Sequence, residues 1–312
     1  MHATDTKAVV SPLTGTANVQ FLESYATDQL IDDWKARLGI DISEEFSGIA
    51  EVQRYRCLKS GIEFFWPPTV AGSNRLYEKL QEIDWYYQDD KWEHRVALKD
   101  LQGASRILEV GAGRGAFVAR ALEEGFDIQG VDTNQRAVEA ARQAGLPVSC
   151  ISVNQLETSG EKKFDAICCF QVLEHIQDPS EFIEQLLALL KPGGSLIFSV
   201  PNQGGYLRYE NNILNMPPHH MTRWTTESFR QLQNLYPLKL EKVRYEPLDP
   251  LHISAWVDSR DPWLLEHPFP WRWLLRPSVL RALRRKWLRL GLRHLMRGHT
   301  LSVCFRPRKE RG

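Results

Sequence analysis

Two stretches of the chain carry residue types able to do chemistry. The first is Glu109-Val110-Gly111-Ala112-Gly113-Arg114-Gly115, an acid followed by three glycines at alternate positions. Such glycines remove the side chains that would hold a ligand off the backbone. The helical pattern opening after Gly115 would aim N-terminal N–H groups at the same place. The spacing predicts a nucleotide-like cofactor, with Glu109, Gly111, Ala112, Gly113 and Gly115 shaping its loop. Glu109 has a second reading, as a buried acid that fixes the loop through backbone N–H groups. Asp132, with Thr133 beside it, ends a second apolar run, where a carboxylate can accept both hydroxyls of a ribose. Gly111, Gly113 and Ala116 also satisfy the relaxed dinucleotide pattern G-x-G-x-x-G/A, so a reductase stays open at this point. The second stretch is Asn215-Met216-Pro217-Pro218-His219-His220-Met221-Thr222-Arg223-Trp224. Imidazoles titrate near neutral pH, so His219 or His220 suits a base or a group that positions an acceptor.

The elements that must hold these residues are legible as short apolar strands alternating with helices. Ile107–Val110, Asp127–Val131, Val148–Ile151, Phe164–Phe170 and Ser195–Pro201 read as strands. Phe117, Val118, Ala121 and Leu122 mark the helix after the glycine loop, and a later helix runs into Leu189-Leu190-Lys191-Pro192-Gly193-Gly194. Leu240–Tyr245 and Thr300–Phe305 supply two more strands. This order predicts an α/β, Rossmann-like, doubly wound sheet whose ligands lie beyond the carboxyl ends of its strands. Glu109, Asp132 and Gln171 all fall at or just past such ends.

Taken in order, E-V-G-A-G-R-G, then V-D, then F-D-A-I and V-L-E-H-I-Q-D-P, then L-K-P-G-G, the chain resembles the class I S-adenosylmethionine-dependent methyltransferases. It is most similar to the branch holding ubiquinone-biosynthesis-type and small-molecule O-methyltransferases, over about 103–245 and a last strand near Thr300. L-K-P-G-G and V-L-E-H do not suit the reductase. The resemblance implies S-adenosylmethionine as cofactor, Asp132 on the ribose and Gln171 facing the methionine end. Family members often bind adenine with an acid after the third strand. This chain has none there, which leaves Ser152, Asn154 or backbone carbonyls. His175 in Leu-Glu-His is expected to brace the loop behind the cofactor. The first expectation for the acceptor is a saccharide or glycan-linked small molecule. A lipid-like phenol or quinone is second, and a non-catalytic scaffold is a further alternative.

The ends depart from the sheet domain. In similar bacterial enzymes an N-terminal zinc ribbon reads C-P-x-C-G and then C-x-x-C-G. Here Ser11, Thr14 and Ser60 stand at three of those cysteine positions and only Cys57 remains. Hydroxyls are poor zinc ligands, so residues 1–70 are read as a degenerate ribbon-like module, with a small β-rich cap as the alternative, and no metal is expected. Residues 71–102 form a helical arm covering the cofactor, in which Tyr86 and Tyr87 either reach the site or pack the arm down. His94 is read as structural. Residues 103–312 are the methyltransferase domain, with a Trp/Arg-rich insertion at about 247–299 that includes Trp256, Trp263, Trp271, Trp273 and Trp287. Its segment 278–297 carries Val279, Leu280, Leu283, Trp287, Leu290 and Leu295 at helical spacing among arginines. This basic amphipathic helix suits peripheral membrane contact, a cap on the sheet, or a polyanion.

The chain has 312 residues, 43% of them hydrophobic, and its 39 basic residues balance its 39 acidic ones. That balance argues against nucleic acid as the partner. Without a signal-peptide pattern near Met1, the expected location is cytoplasmic, peripheral to a membrane if the basic helix binds one.

Overall fold

The computed structural model describes residues 8–83, 86, 90–158, 163–210, 212–259 and 277–308. Near the N-terminus, β1 (Val19–Ala26), helix α1 (Thr27–Leu38), β2 (Glu51–Cys57) and β3 (Glu63–Trp66) build an antiparallel sheet in the order β1-β2-β3. Its fourth strand comes from far along the chain: Phe64 and Glu63 pair with Thr222 and Arg223 of the two-residue strand β9 (Thr222–Arg223). The module around residues 1–70 is therefore completed by the loop that carries His219 and His220. Two turns, closed by Gly15 N–H to Ser11 O and Gly61 N–H to Cys57 O at 2.8 Å each, bring Ser11, Thr14, Cys57 and Ser60 together. The Thr14 hydroxyl lies 3.5 Å from Cys57 Sγ. Burial raises the Cys57 thiol, but the neighbouring Ser11, Ser60 and Thr14 hydroxyls outweigh it and pull it down to about 7.

The central sheet has seven strands. β4 (Ile107–Val110), β5 (Ile128–Asp132), β6 (Val148–Cys150), β7 (Phe164–Phe170) and β8 (Leu190–Pro201) run parallel, and β11 (Arg297–Pro307) lies antiparallel between β8 and β10 (Leu238–Pro247). The order is β10-β11-β8-β7-β4-β5-β6. Consecutive strand residues enter opposite apolar layers. Leu108, Ile167, Cys169 and Phe198 pack on one face, and Ile107, Ala166, Cys168 and Ile197 on the other. With both faces covered, the strands read as unbroken apolar runs.

Around the sheet lie α2 (Asn74–Leu80), α3 (Trp92–Asp100), α4 (Ala116–Glu123), α5 (Gln135–Gln143), α6 (Val153–Thr158), α7 (Pro179–Leu189), α8 (Thr226–Leu235), α9 (Ile253–Asp258) and α10 (Pro277–Arg289). Helix α4 buries Phe117, Val118 and Ala121, while Leu122 faces outward. The Thr225 and Ser228 side chains cap α8 reciprocally. His94 packs between Phe117 and Phe170, with ring centres at 5.2 and 5.0 Å, and burial drives its imidazole down to about 3, which fits a structural role. Two expectations change. The L-K-P-G-G segment joins β8 instead of ending α7. The basic helix stops at Arg289 rather than 297, because Gly291 adopts φ +119° and turns the chain into a short 3₁₀ segment at Leu292–Leu295. Trp263, Trp271 and Trp273 lie outside the described residues.

Candidate active site

The glycine loop joins the buried strand β4 to α4. Gly111, Gly113 and Gly115 all have positive φ, at +77°, +54° and +81°. A Cβ on Gly111 would lie 2.3 Å from Val172 Cγ2, and one on Gly115 would lie 2.7 Å from Leu146 Cδ1. Both conformation and space therefore exclude side chains there. The loop's own N–H groups are largely spoken for. Those of Gly111 and Ala112 reach Val131 O at 2.8 and 3.1 Å, and that of Gly115 reaches Ala112 O at 2.8 Å. Gly113 N–H donates to Asp132 Oδ2 at 2.7 Å, and Asn134 N–H to Asp132 Oδ1 at 2.8 Å. The loop thus offers close approach and shape, and fewer free donors than its sequence suggested.

Asp132 locks the loop to the end of β5. Each of its oxygens holds one backbone N–H and keeps lone pairs for further donors. Burial raises its carboxyl group, and hydrogen bonds from Asn134, Gly113 and Thr133 oppose that rise. Glu109, 3% exposed, has one side-chain oxygen without a partner, and burial holds its carboxyl well above the ordinary range, with Asp132 adding to the rise. A side-chain-free cradle, an under-satisfied buried acid and a partly used carboxylate fit a cofactor with a cationic amine and a ribose.

Gln171 sits just past β7 at φ +55°, the one positive-φ residue other than glycine among the described residues. Its Nε2 donates to Glu93 Oε1 at 3.2 Å. Glu93, 4% exposed on α3, is a candidate that sequence reading missed, drawn in by its bond to Gln171. Its signal was an acid on the otherwise inward face shared with His94 and Ala97. Ser152 is bound up in capping α6: its Oγ accepts from Gln155 N–H at 3.2 Å, and its own N–H donates to Gln155 Oε1 at 2.8 Å. Asn154 and Thr133 are exposed. Asn134, unremarked in the sequence, is buried, and its Nδ2 reaches Gln81 Oε1 of the arm at 3.4 Å.

The other half of the site is a histidine cluster. His175 lies in the turn after β7, and His219 and His220 lie in the loop after β8. The rings of His219 and His220 stack at 4.5 Å, and His175 sits edge-on to both at 4.6 and 4.9 Å. His175 Nδ1 donates to His219 O at 2.6 Å, and His219 Nδ1 donates to Leu214 O at 2.8 Å. His220 Nδ1 meets Asn215 Oδ1 at 3.3 Å. Burial lowers all three imidazoles, His175 to about 4 and the others well below the usual range, so all are neutral at pH 7. His175 thus ties the turn after β7 to the loop that carries His219.

The arm reaches this cluster. Tyr86 O–H donates to His219 Nε2 at 2.9 Å, and Tyr77 O–H to His219 O at 3.3 Å. On the other side Arg114 donates to Gln81 O at 3.1 Å, so the same arm also crosses the glycine loop. Tyr87 lies outside the described residues. Next to His175, Glu174 is fully buried with neither carboxyl oxygen partnered, and burial pushes it up to about 8.

A glycine cradle at the carboxyl end of β4, an acid closing β5 and a polar cluster past β7 and β8 define a Rossmann-like transferase site. Residues 53–243 match the family described as "Methyltransferase domain". The chain belongs to that family, whose enzyme class is S-adenosylmethionine-dependent methyl transfer. Among named relatives, the ubiquinone biosynthesis O-methyltransferase of Alkalilimnicola ehrlichii is 36% identical over 34% of this chain and 45% of that protein. The chain thus spans less than half of that relative's length. The enzyme of the same name from Ralstonia nicotianae is 28% identical over 59% of this chain and 81% of its own. A SAM-dependent methyltransferase from Archaeoglobus fulgidus superposes with a TM-score of 0.43 at 19% identity, over 68% of this chain and 93% of that one.

Proposed function

We propose that this chain transfers the methyl group of S-adenosylmethionine to a hydroxyl of a lipid-like phenol or quinol at a membrane surface. The observation that carries the reading is the hydrogen bond from the half-buried Tyr86 hydroxyl to the buried, neutral imidazole of His219, in the loop past the end of β8. The saccharide acceptor that the sequence favoured has less support than the phenol, since the named relatives are ubiquinone-biosynthesis O-methyltransferases.

When bound, S-adenosylmethionine supplies a methyl group already activated as a sulfonium. The chain's task is to orient and to exclude water, worth up to about 7–11 kcal/mol when alignment is good. Gly111, Ala112, Gly113 and Gly115 set the approach. Asp132 takes the ribose hydroxyls, and Glu109 and Gln171 face the methionine end, with Glu93 holding the Gln171 amide. Thr133, Ser152 and Asn154 remain candidates on the adenine side. His219, its Nδ1–H fixed on Leu214 O, presents Nε2 as proton acceptor. The Tyr86 hydroxyl stands where an acceptor hydroxyl would donate. His220, stacked on His219, positions that acceptor.

Support for a membrane surface comes from α10 and the turn after it. Leu283, Trp287, Leu290 and Leu295 are 42, 57, 68 and 75% exposed among Arg281, Arg284, Arg285, Lys286, Arg289 and Arg293. Exposed apolar side chains set among cations suit anionic headgroups. No helix among the described residues is long and apolar enough to cross a membrane. The test is methyl transfer from labelled S-adenosylmethionine to a short-chain prenylated catechol, with and without anionic vesicles, beside a panel of nucleotide sugars. Transfer to the catechol supports the reading; transfer confined to sugars overturns it.

We also propose that the N-terminal module is a ribbon remnant. The meeting of Ser11, Thr14, Cys57 and Ser60 supports this. Replacing Ser11, Thr14 and Ser60 together by cysteine is expected to create a stoichiometric zinc site, measured by competition with a chromogenic chelator. A folded triple variant without zinc would sink the idea.

A further inference from the structure

Three imidazoles from two segments meet at one point: one ligand atom from each of His175, His219 and His220 lies within 4.8 Å of the other two. Their surroundings assign the protons. Nδ1 of His175 and of His219 each face a backbone carbonyl, which can only accept, so each of these nitrogens carries its ring's hydrogen. Nδ1 of His220 faces Asn215 Oδ1, an oxygen that also accepts from Gln203 Nε2 at 2.6 Å. The lone pairs therefore lie on the three Nε2 atoms. An imidazole anchored by Nδ1–H on an oxygen, with Nε2 left basic, is the arrangement that orients histidines for metal ions.

We infer that His175, His219 and His220 form a binding site for a divalent transition-metal ion, with the Tyr86 oxygen as fourth donor. Tyr86 Oη lies 2.9 Å from His219 Nε2 as its hydrogen-bond donor, close enough to become a ligand once the two atoms part by about 0.5 Å. On binding, the ion takes the Nε2 lone pairs and the phenolic proton leaves to solvent. Zinc–nitrogen bonds of about 2.0–2.1 Å in a tetrahedron put ligand atoms about 3.4 Å apart, so the three rings must draw together to hold one ion. The Gln171 backbone is also a hydrogen-bond partner of the His175 ring, and the ion must displace that contact. Imidazole and phenolate donors select zinc, cobalt, nickel or copper over magnesium or calcium.

Such an ion would pin together the turn after β7, the loop after β8 and the arm, the three segments over the acceptor half of the site. It is an alternative occupant of the lone pair assigned above to proton transfer, so the base reading describes the metal-free chain. The inference stands whether or not the acceptor is a phenol.

The test is titration of the tag-free, full-length chain with Co²⁺, followed by visible ligand-field absorption and by zinc competition. One Co²⁺ per chain is expected, with affinity falling at least about tenfold in His175→Gln and in His220→Gln, and less in Tyr86→Phe. The Cys57→Ser variant should bind unchanged. Absence of stoichiometric binding overturns the site, as does binding that Cys57→Ser removes and the histidine variants keep. Should the histidine variants fail to fold, pulsed electron paramagnetic resonance of the Cu²⁺-loaded wild type counts coordinated imidazoles directly. Two or more supports the site; one or none overturns it.

Discussion

The two halves of the crevice are built in opposite ways. The cofactor half is backbone: glycines in conformations closed to other residues, tied by main-chain N–H groups to the neighbouring strand and to Asp132. The half proposed for the acceptor is side chain: Tyr86 meets His219 across 133 positions of sequence, and Tyr77 lies 142 positions from the same residue. Backbone shape serves a ligand that never changes, while side-chain clusters can be exchanged without disturbing the strand–loop–helix unit beneath.

The largest effects should come from the acceptor half and appear in turnover. His219→Gln is expected to lower kcat by about 10²–10⁴ while cofactor affinity stays within a few-fold, measured by single-turnover methyl transfer and calorimetry. Because burial holds the His219 imidazole well below its usual range, its neutral, proton-accepting form is lost only as pH falls through that lowered value. The rate should then show no acid limb near pH 6.5, and a limb there would break the assignment of a buried base. Gly111→Ala attacks the other half through shape. A Cβ 2.3 Å from Val172 at φ +77° should cost about 2–5 kcal/mol of stability, read from denaturant midpoints. Asp132→Ala removes a charged partner and should weaken S-adenosylmethionine by about 1.5–3 kcal/mol in calorimetry; unchanged affinity would remove Asp132 from the ribose. The smallest effect belongs to the periphery. Trp287→Ser should lower partitioning onto anionic vesicles by about 1–2 kcal/mol, judged by sedimentation, with turnover on a water-soluble acceptor unchanged.

This division also explains what was legible in the sequence. Ile107–Val110, the glycines and Asp132 lie within one strand–loop–helix–strand stretch, so their local spacing alone predicts the loop that the structure shows. The buried strands announced themselves as apolar runs, and Phe164–Phe170 emerged with the bounds its composition suggested. Glu93 was not legible as a site residue, because its partner Gln171 is 78 positions away. Nor was the role of Asn134, whose contact with Gln81 depends on how the arm folds over. Ser152 misled for a physical reason: a hydroxyl near a helix start looks free in sequence but caps that helix in space. The end of the basic helix hung on a single glycine, Gly291, inside an otherwise continuous periodic pattern.

The two-residue strand Thr222–Arg223 carries a consequence for how the chain matures. Pairing with β3 puts the last rung of the N-terminal sheet about 160 residues downstream of its neighbour. During synthesis the free edge of β3 stays open until the five parallel strands of the central sheet and then Thr222–Arg223 have followed. Closing the N-terminal sheet fastens the loop bearing His219 and His220, and does so with a strand that precedes β10 and β11 in the chain. One pairing thus sets both the edge of that sheet and the position of the histidine loop.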